Sequence, residues 1–277
     1  MSKQYSSRSP KVIKEMSAIQ DNQYYITVTK SNELIRKSCY NLSIVQQKLL
    51  CYFITDIKDT DTASTVKEYD LRDIYKFLCI HSNSREVVKN LSAIDKKTWW
   101  IVTDTESIRY RFFNELIVTH DNKVRLSFHS SILPYLQNLI TDKCYTYYRL
   151  LYILCMKSEY SIRLYEMLKA AENNGIWYYE LDWLKKQLEC ENKYPKFADF
   201  RKRVIDAALH EINEQTDITV GYSMHRKQGS RLYDGIEFYI ETKSKKDRLD
   251  AEKGIRDKLN GNIEKTHEKT MSEIKIP

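Results

Sequence analysis

The chain has 277 residues, 42% of them hydrophobic, so it is long enough for two compact domains with a core in each. Its 45 Lys and Arg residues outnumber its 38 Asp and Glu residues, and the net charge of +7 favours a polyanionic partner without establishing one. All six glycines lie from Gly175 onward, so neither a Walker loop nor a dinucleotide-binding fingerprint can be assembled. This argues against ATP hydrolysis and nicotinamide chemistry.

In the first half of the chain, an arm precedes a set of helices and strands. Residues 1–24 lack apolar periodicity and predict a flexible arm, whereas alternation predicts a strand over Tyr25–Thr29. Ser43 and Gln46 form a capping box, so a helix begins there. The later predicted elements of a first domain, residues 25–140, are a strand at Val66–Tyr69, a helix that Asp70 caps, a helix at Ser84–Lys97, and strands at Trp99–Thr103, Ile108–Val118 and Val124–Phe128.

The second half predicts a similar set of elements. After a short helix at Ser130–Leu139, Tyr145–Met156 carries the chain across, and a helix at Ser158–Ala171 stops at Gly175. The elements that follow are a strand at Trp177–Tyr179, helices at Leu181–Leu188 and Lys196–Glu214, and a hairpin of Ile218–Met224 and Gly235–Glu241. They complete a second domain over residues 141–242. Residues 243–277 are charged and predict a mobile tail or a frayed helix.

Two segments of the chain match each other in register. Tyr69–Leu78 aligns with Tyr179–Leu188, and in each case another helix and then strands follow. A repeat of this length indicates duplicated domains, since solenoid units are shorter. The order helix, strand, helix, helix, hairpin is that of a winged helix, which presents its third helix to DNA. We therefore predict an α+β fold of two tandem winged-helix domains.

The third helix of the second unit is the strongest indication of a binding surface. At 100° per residue one apolar stripe is formed by Phe197, Phe200, Val204, Ala208 and Ile212, and the opposite side carries Asp199, Lys202, Arg203, Asp206 and His210. The basic residues are concentrated near the N-terminus of the helix. An ordinary solvated helix face explains the same pattern, so both interpretations stay open. The candidate base-reading residues are Lys196, Asp199, Arg201, Lys202, Arg203, Asp206 and His210.

The hairpin that follows adds a second basic segment. Arg226, Lys227 and Arg231 surround Gly229 at the predicted tip and form a wing that can reach phosphates or the minor groove. A basic hairpin alone means little, but helix and wing in this order favour DNA binding. The first unit has a weaker counterpart, for which ordinary surface charge is an equal explanation: Arg85, Lys89, Lys96, Lys97 and Lys123.

Tyrosines are numerous between the two predicted domains. Tyr145, Tyr147, Tyr148, Tyr152, Tyr160 and Tyr165 permit either a stacking platform for unpaired bases or, as we prefer, a wedge that packs the domains together.

Catalytic chemistry has little support in the sequence. A metal-dependent nicking enzyme needs a His-x-His pair beside a tyrosine nucleophile, and the six histidines include no such pair. Six scattered cysteines without a C-x-x-C pair argue against zinc fingers and disulfides. We expect no catalytic residue, no metal and no cofactor. With no signal peptide or membrane span apparent, we also expect a cytoplasmic protein without a membrane partner.

The chain resembles the replication initiator proteins of iteron-containing, theta-replicating plasmids. The resemblance covers roughly residues 25–242, and the segments that carry it are Lys30–Ile35, Tyr40–Ser43, Tyr160–Leu168 and Phe200–Asn213. It implies two duplicated winged-helix domains that bind directly repeated double-stranded sites at a plasmid origin. It further implies that Lys196–His210 reads bases, while the first domain contacts backbone and supplies a dimer interface.

The resemblance also implies partners. Monomers would open the origin and recruit the host initiator and helicase, and dimers in equilibrium with them would repress the protein's own gene. Two rival hypotheses remain: a winged-helix transcription regulator without an origin role, and a DNA-nicking or priming enzyme.

Overall fold

The structure is a computed structural model that describes residues 26–78, 84–102, 105–139, 144–227, 229 and 232–273. The predicted arm, residues 1–24, lies outside these residues. In the first half the elements are β1 Thr27–Ser31, α1 Asn32–Lys37, β2 Ser38–Cys39, α2 Ile44–Ile54, β3 Lys67–Asp70, α3 Leu71–Phe77, α4 Ser84–Asp95, β4 Thr98–Val102, β5 Ser107–Arg111, β6 Phe113–Val118 and β7 Lys123–Phe128.

The second half begins with β8 Tyr145–Arg149 and α5 Leu151–Leu154. It continues with α6 Glu159–Lys169, β9 Ile176–Glu180 and α7 Leu181–Gln187. Helix α8 spans 197–215 and consists of Phe197–Phe200, a π-helical turn at Arg201–Asp206, and Ala207–Gln215. The hairpin strands β10 Ile218–Arg226 and β11 Tyr233–Thr242 then lead to α9, Lys245–Glu273.

The duplication predicted from the repeat is confirmed in the topology. One three-stranded sheet has the order β6-β7-β3 and another the order β10-β11-β9, so in both the strand before the second helix pairs with the last hairpin strand. The matched positions Leu71 and Leu181 are buried, as are Ile74 and Leu184. At the start of α3, the Asp70 carboxylate accepts a hydrogen bond from the Arg72 amide at 2.7 Å. The predicted cap is therefore present.

The first unit contains an inserted sheet that the sequence pattern did not reveal. Strands β4 and β5 lie in the chain between the third helix and the hairpin of this unit, and β4 pairs with β2 on one side and with β5 on the other. The single strand predicted at Ile108–Val118 is therefore wrong. It breaks because Phe112 and Phe113 are both buried, which a straight strand with alternating sides does not allow. The two halves of the predicted strand join different sheets.

Between the units, two further predictions are corrected. The predicted helix at Ser130–Leu139 is only a 3₁₀ turn, Leu133–Tyr135, because Pro134 lacks an N–H donor and Asn138 has a φ of 53°. The crossing segment does not run straight to the second unit, since β8 first pairs antiparallel with β1. The domain limits 25–140 and 141–242 remain a prediction.

The C-terminal segment is docked where a mobile tail was predicted. Helix α9 buries Ile255 and Leu259, which are four residues apart and so lie on one face. Buried Glu252 accepts hydrogen bonds from Arg149 at 2.6 Å and Tyr152 at 2.9 Å. Mobility is therefore wrong for residues 245–259, whereas the alternative of a helix was right. No helix within the described ranges has both the length and the apolar character of a membrane span.

A buried ionic cluster joins the two units. Lys30 of β1 lies 2.6 Å from Glu166 of α6, and Arg163 donates to the Ser38 carbonyl at 2.5 Å and to Gln187 of α7 at 3.0 Å. Burial acts to raise the pKa of Glu166, but the charges of Lys30 and Arg163 and the hydrogen bonds from Lys30 and Tyr148 together outweigh burial, and the pKa falls below its ordinary value.

The tyrosines around this joint support the wedge interpretation for most of the set. There are two exceptions on β8, because Tyr147 is 61% exposed and Tyr145 is only partly buried. The tyrosines buried in the joint are Tyr148, Tyr152, Tyr160 and Tyr165.

Candidate nucleic-acid interface

Helix α8 is held in the second unit by an apolar face and by one side-chain amide. The face buries Phe200, Val204, Ala208 and Ile212, as the predicted stripe requires. At the C-terminal end, the Asn213 side chain donates to the Val220 carbonyl at 3.0 Å and accepts from the Val220 amide at 2.7 Å. These two bonds complete the backbone pairing of β10 at that point, and they fix the helix against the hairpin.

The opposite face of α8 lies at the surface. The exposed members of the predicted set are Lys196, Arg201, Lys202, Arg203 and His210, and Asp199 and Asp206 are partly buried. His210 faces Glu214 of the same helix at 3.5 Å, so its surroundings are acidic. Within the described residues Lys202 and Arg203 form no ion pair, and they occupy the N-terminal half of the helix.

A π-helical turn changes the direction of one basic side chain. In an α-helix, residues five apart point about 140° away from each other. In the π turn Arg201–Asp206 the hydrogen bonds run between residues five apart, and Arg201 Nε lies 3.8 Å from Asp206 Oδ2. Arg201 therefore points along the helix toward Asp206.

Asp206 also joins the helix to the hairpin. Its carboxylate accepts a hydrogen bond from the Tyr222 hydroxyl of β10 at 2.6 Å. Burial and this hydrogen bond raise the pKa of Tyr222 to about 12. Through these contacts Asp206 can orient the side chain of Arg201. Whether Asp199 or Asp206 contacts a base stays a prediction.

The wing lies against the start of α8. Arg226 and Lys227 are exposed, Gly229 has a φ of 75° as a tip glycine permits, and Arg231 lies outside the described residues. The Arg226 guanidinium lies 4.8 Å from the centroid of the Tyr233 ring and donates to the Tyr233 hydroxyl at 3.0 Å. Helix and wing thus form one continuous surface, because the Tyr233 ring also contacts Phe197 of α8 at 4.8 Å.

A β-bulge produces this contact. His225 pairs with Gly235, but Arg226 pairs with Tyr233, so Asp234 is an extra residue in β11. Side chains of a regular strand point alternately to its two faces. Without the bulge, Tyr233 would therefore point to the same face of β11 as Gly235, which is the face turned away from α8. The extra residue moves Tyr233 to the side where α8 lies. Tyr222 and Tyr233 are the site residues that sequence reasoning missed, and their only signal was a place in the hairpin next to basic residues.

In the first unit, fewer of the residues predicted to contact DNA are available at the surface. Arg85, Lys89 and Lys96 are exposed on or just after α4. Lys97 donates to Gln46 at 2.8 Å, and burial lowers its pKa. Lys123 forms an ion pair with Glu68 at 2.5 Å, which offsets its charge. Three of the five residues are thus free to face an anion, and the role of all five stays a prediction.

The described part of the chain places no three His, Cys, Asp or Glu side chains where they could hold a metal ion. The absence of catalytic, metal and cofactor sites therefore stays an expectation.

Tandem winged-helix units with a basic third helix and a basic wing define a protein of the DNA-binding winged-helix class. The family model described as "Initiator Replication protein, WH1" matches residues 27–169, and that described as "Initiator Rep protein, WH2" matches residues 180–240. This chain belongs to that replication initiator family.

Individual relatives match parts of the chain. PI protein of Escherichia coli is 31% identical over 122 residues, which cover 39% of this chain and 40% of that protein. An uncharacterized 27.6 kDa protein of Escherichia coli is 29% identical over 100 residues, or 36% of this chain and 41% of that protein. The alignments thus span less than half of each relative.

One solved structure covers more of the chain. A crystal structure of Pi initiator protein in complex with iteron DNA has a TM-score of 0.65, covers 80% of this chain and 99% of that chain, and is 20% identical. At that identity the likeness establishes the fold.

Proposed function

We propose that this protein initiates replication of a plasmid by binding directly repeated double-stranded sites at the plasmid origin. Membership of the replication initiator family supports this proposal, as does the iteron DNA bound by the related Pi initiator protein. The observation that carries it is the contact of Tyr233 with both Phe197 and Arg226. It combines the third helix and the wing of the second unit into one basic surface.

Each part of that surface has a distinct role in the proposal. The N-terminal half of α8 enters the major groove, where exposed Lys202 and Arg203 contact bases. Lys227 in the wing contacts phosphates. The first unit adds backbone contacts through Arg85, Lys89 and Lys96, which increase affinity without reading sequence. His210 and Glu214, which lie 3.5 Å apart, occupy the C-terminal half of the helix.

Further parts of the proposal concern assembly. Monomers bind the repeats and recruit the host initiator and helicase, and dimers repress the protein's own gene. The protein opens the origin through binding and has no enzymatic activity of its own.

A replication assay tests this function. A selectable plasmid without its own initiator would carry the DNA upstream of the gene, and the protein would be supplied from a second source. We expect replication with the unaltered chain and none with Arg203→Ala, whereas Lys37→Ala on the exposed face of α1 supports replication. Binding to the repeats without replication would favour the transcription-regulator hypothesis. Relaxation of supercoiled origin DNA in the presence of magnesium would favour the nicking enzyme.

A further inference from the structure

We propose that Arg201 of α8 and Arg226 of the wing bind one phosphate of the DNA backbone between them, at the junction of helix and hairpin. This inference rests on the proposed function and sharpens it. It removes Arg201 from the base-reading set and makes it a backbone contact that fixes how α8 is seated in the groove. Tyr233 and Phe197 become positioning residues for the same phosphate.

The helix side of the junction is set by the π turn. Phe197 and Arg201 are four residues apart, so they are neighbours along one side of α8. The Phe197 ring already contacts Tyr233, which places Arg201 beside the wing. Its side chain is half exposed and lies near Asp206, and Tyr222 holds that carboxylate in turn. Arg201 thus has a supported position and an accessible guanidinium.

The hairpin side of the junction is set by the β-bulge. The extra residue Asp234 turns Tyr233 toward α8, and Arg226 lies directly across the ladder from it. The Tyr233 hydroxyl accepts one of the five N–H donors of Arg226, so the other donors remain for a ligand. The hydrogen bond from Arg226 and the charges of Arg226 and Arg201 lower the pKa of Tyr233, which agrees with two guanidinium groups near this ring.

The chemistry of the junction favours a phosphate. Two guanidinium groups close to one tyrosine ring repel each other, and an anion between them relieves that repulsion. The planar donor fork of arginine matches the oxygen geometry of a phosphate and can bind it with two hydrogen bonds. Asp206 offsets part of the charge of Arg201, but Arg201 Nε lies 3.8 Å from Asp206 Oδ2, which is too far for a hydrogen bond, so the guanidinium donors remain for a ligand. A base edge would have to enter between helix and wing, where Phe197 and Tyr233 already fill the space.

Neutral backbone substitution tests the pair directly. A duplex with one repeat would carry a single methylphosphonate, moved one position at a time along each strand, and affinity would be measured for the full-length chain. We expect one position at which the unaltered protein loses about tenfold in affinity, as for one charge-assisted contact. At that position the methylphosphonate would cause no further loss of affinity in Arg201→Ala or in Arg226→Ala, because each variant already lacks one side of the contact. Arg109→Ala provides the matched control, because Arg109 also stacks on an aromatic ring, Trp100 at 5.8 Å, but in the first unit. This variant would keep the full tenfold loss.

Other outcomes overturn the inference. If Arg201→Ala stays sensitive at every position where the unaltered protein is sensitive, the two arginines share no phosphate. If its loss depends on the identity of one base pair, Arg201 reads a base. Both variants change exposed side chains, so unchanged thermal unfolding is expected and would be measured first. Failure of the proposed function is separate: the unaltered chain would then bind the repeat and a scrambled duplex equally, and the methylphosphonate comparison would still be possible on either duplex.

Discussion

The ring of Phe197 lies 4.8 Å from the ring of Tyr233, at an angle of 39°. Phe197 begins the third helix of the second unit, and Tyr233 begins the second strand of its hairpin. This contact joins two elements that are separated by more than thirty residues of chain. Because Tyr233 also accepts a hydrogen bond from Arg226, its contact with Phe197 sets the distance between the basic helix and the basic wing.

Removal of the Tyr233 ring tests this link. We expect Tyr233→Ala to weaken binding to the repeat several-fold, since an aromatic contact of this kind contributes about 0.5–1.5 kcal/mol. Tyr233→Phe keeps the contact with Phe197 and loses only the hydroxyl, so its loss would be smaller. Fluorescence anisotropy with labelled duplex gives the affinities. Equal affinities for all three proteins would show that the wing does not depend on Tyr233.

Arg203 tests base reading. Its side chain is exposed in the N-terminal half of α8. Replacement by Ala should cost about 1–3 kcal/mol at the cognate repeat and much less on random DNA. The measurement is a pair of titrations at one salt concentration. Equal losses on both duplexes would reduce Arg203 to a phosphate contact.

Lys227 tests the wing as a backbone contact. It is exposed at the hairpin tip. Lys227→Ala should weaken cognate and random DNA alike and reduce the slope of log affinity against log salt by about 1. Titrations at four salt concentrations give that slope. An unchanged slope would remove Lys227 from the interface.

The joint between the units predicts a large effect on stability. Glu166→Gln leaves the charge of Lys30 buried without its partner, which should cost about 3–5 kcal/mol in the free energy of unfolding. Glu33→Gln is the matched control, because Glu33 pairs with Lys37 at 3.1 Å where both side chains are about half exposed, and its cost should be below about 1 kcal/mol. Urea unfolding of both variants provides the comparison, and similar values would contradict a structural role for the buried pair.

The same pair predicts a pH dependence. The pKa of Glu166 lies below its ordinary value of 4.5 in the folded chain. Its contribution to stability is therefore present above the unfolded pKa and is lost as the pH falls through the folded pKa. Unfolding free energies should decrease on acidification in the unaltered protein, and this decrease should be smaller in Glu166→Gln. Parallel pH profiles for the two proteins would argue against this assignment.

Local signals in the sequence predicted much of the fold. The capping box of Ser43 and Gln46 is present with both of its hydrogen bonds, and Gly175 has the positive φ expected of a helix stop. The repeat around Leu71 and Leu181 predicted equivalent sheets. These features depend on residues that are close in the chain, so residue type and spacing are sufficient to predict them.

Features that depend on one extra residue were not predictable. The π turn at Arg201–Asp206 and the bulge at Asp234 change the direction of a side chain without changing the apolar pattern around it. On a wheel at 100° per residue Arg201 falls within the apolar stripe, so the wheel indicated neither its exposure nor its contact with Asp206. The docking of α9 was missed because its buried apolar residues, among those whose side chains the structure describes, are Ile255 and Leu259 within a charged segment.

Footprinting on the DNA that flanks the protein's own gene tests the proposed function most directly. We expect protection of several direct repeats with the same register in each, and loss of that protection with Arg203→Ala at a concentration where Lys37→Ala still protects. Uniform coverage of the duplex without a repeated pattern would contradict sequence-specific binding by α8. Protection of the repeats that is unchanged by Arg203→Ala would contradict the role of that helix.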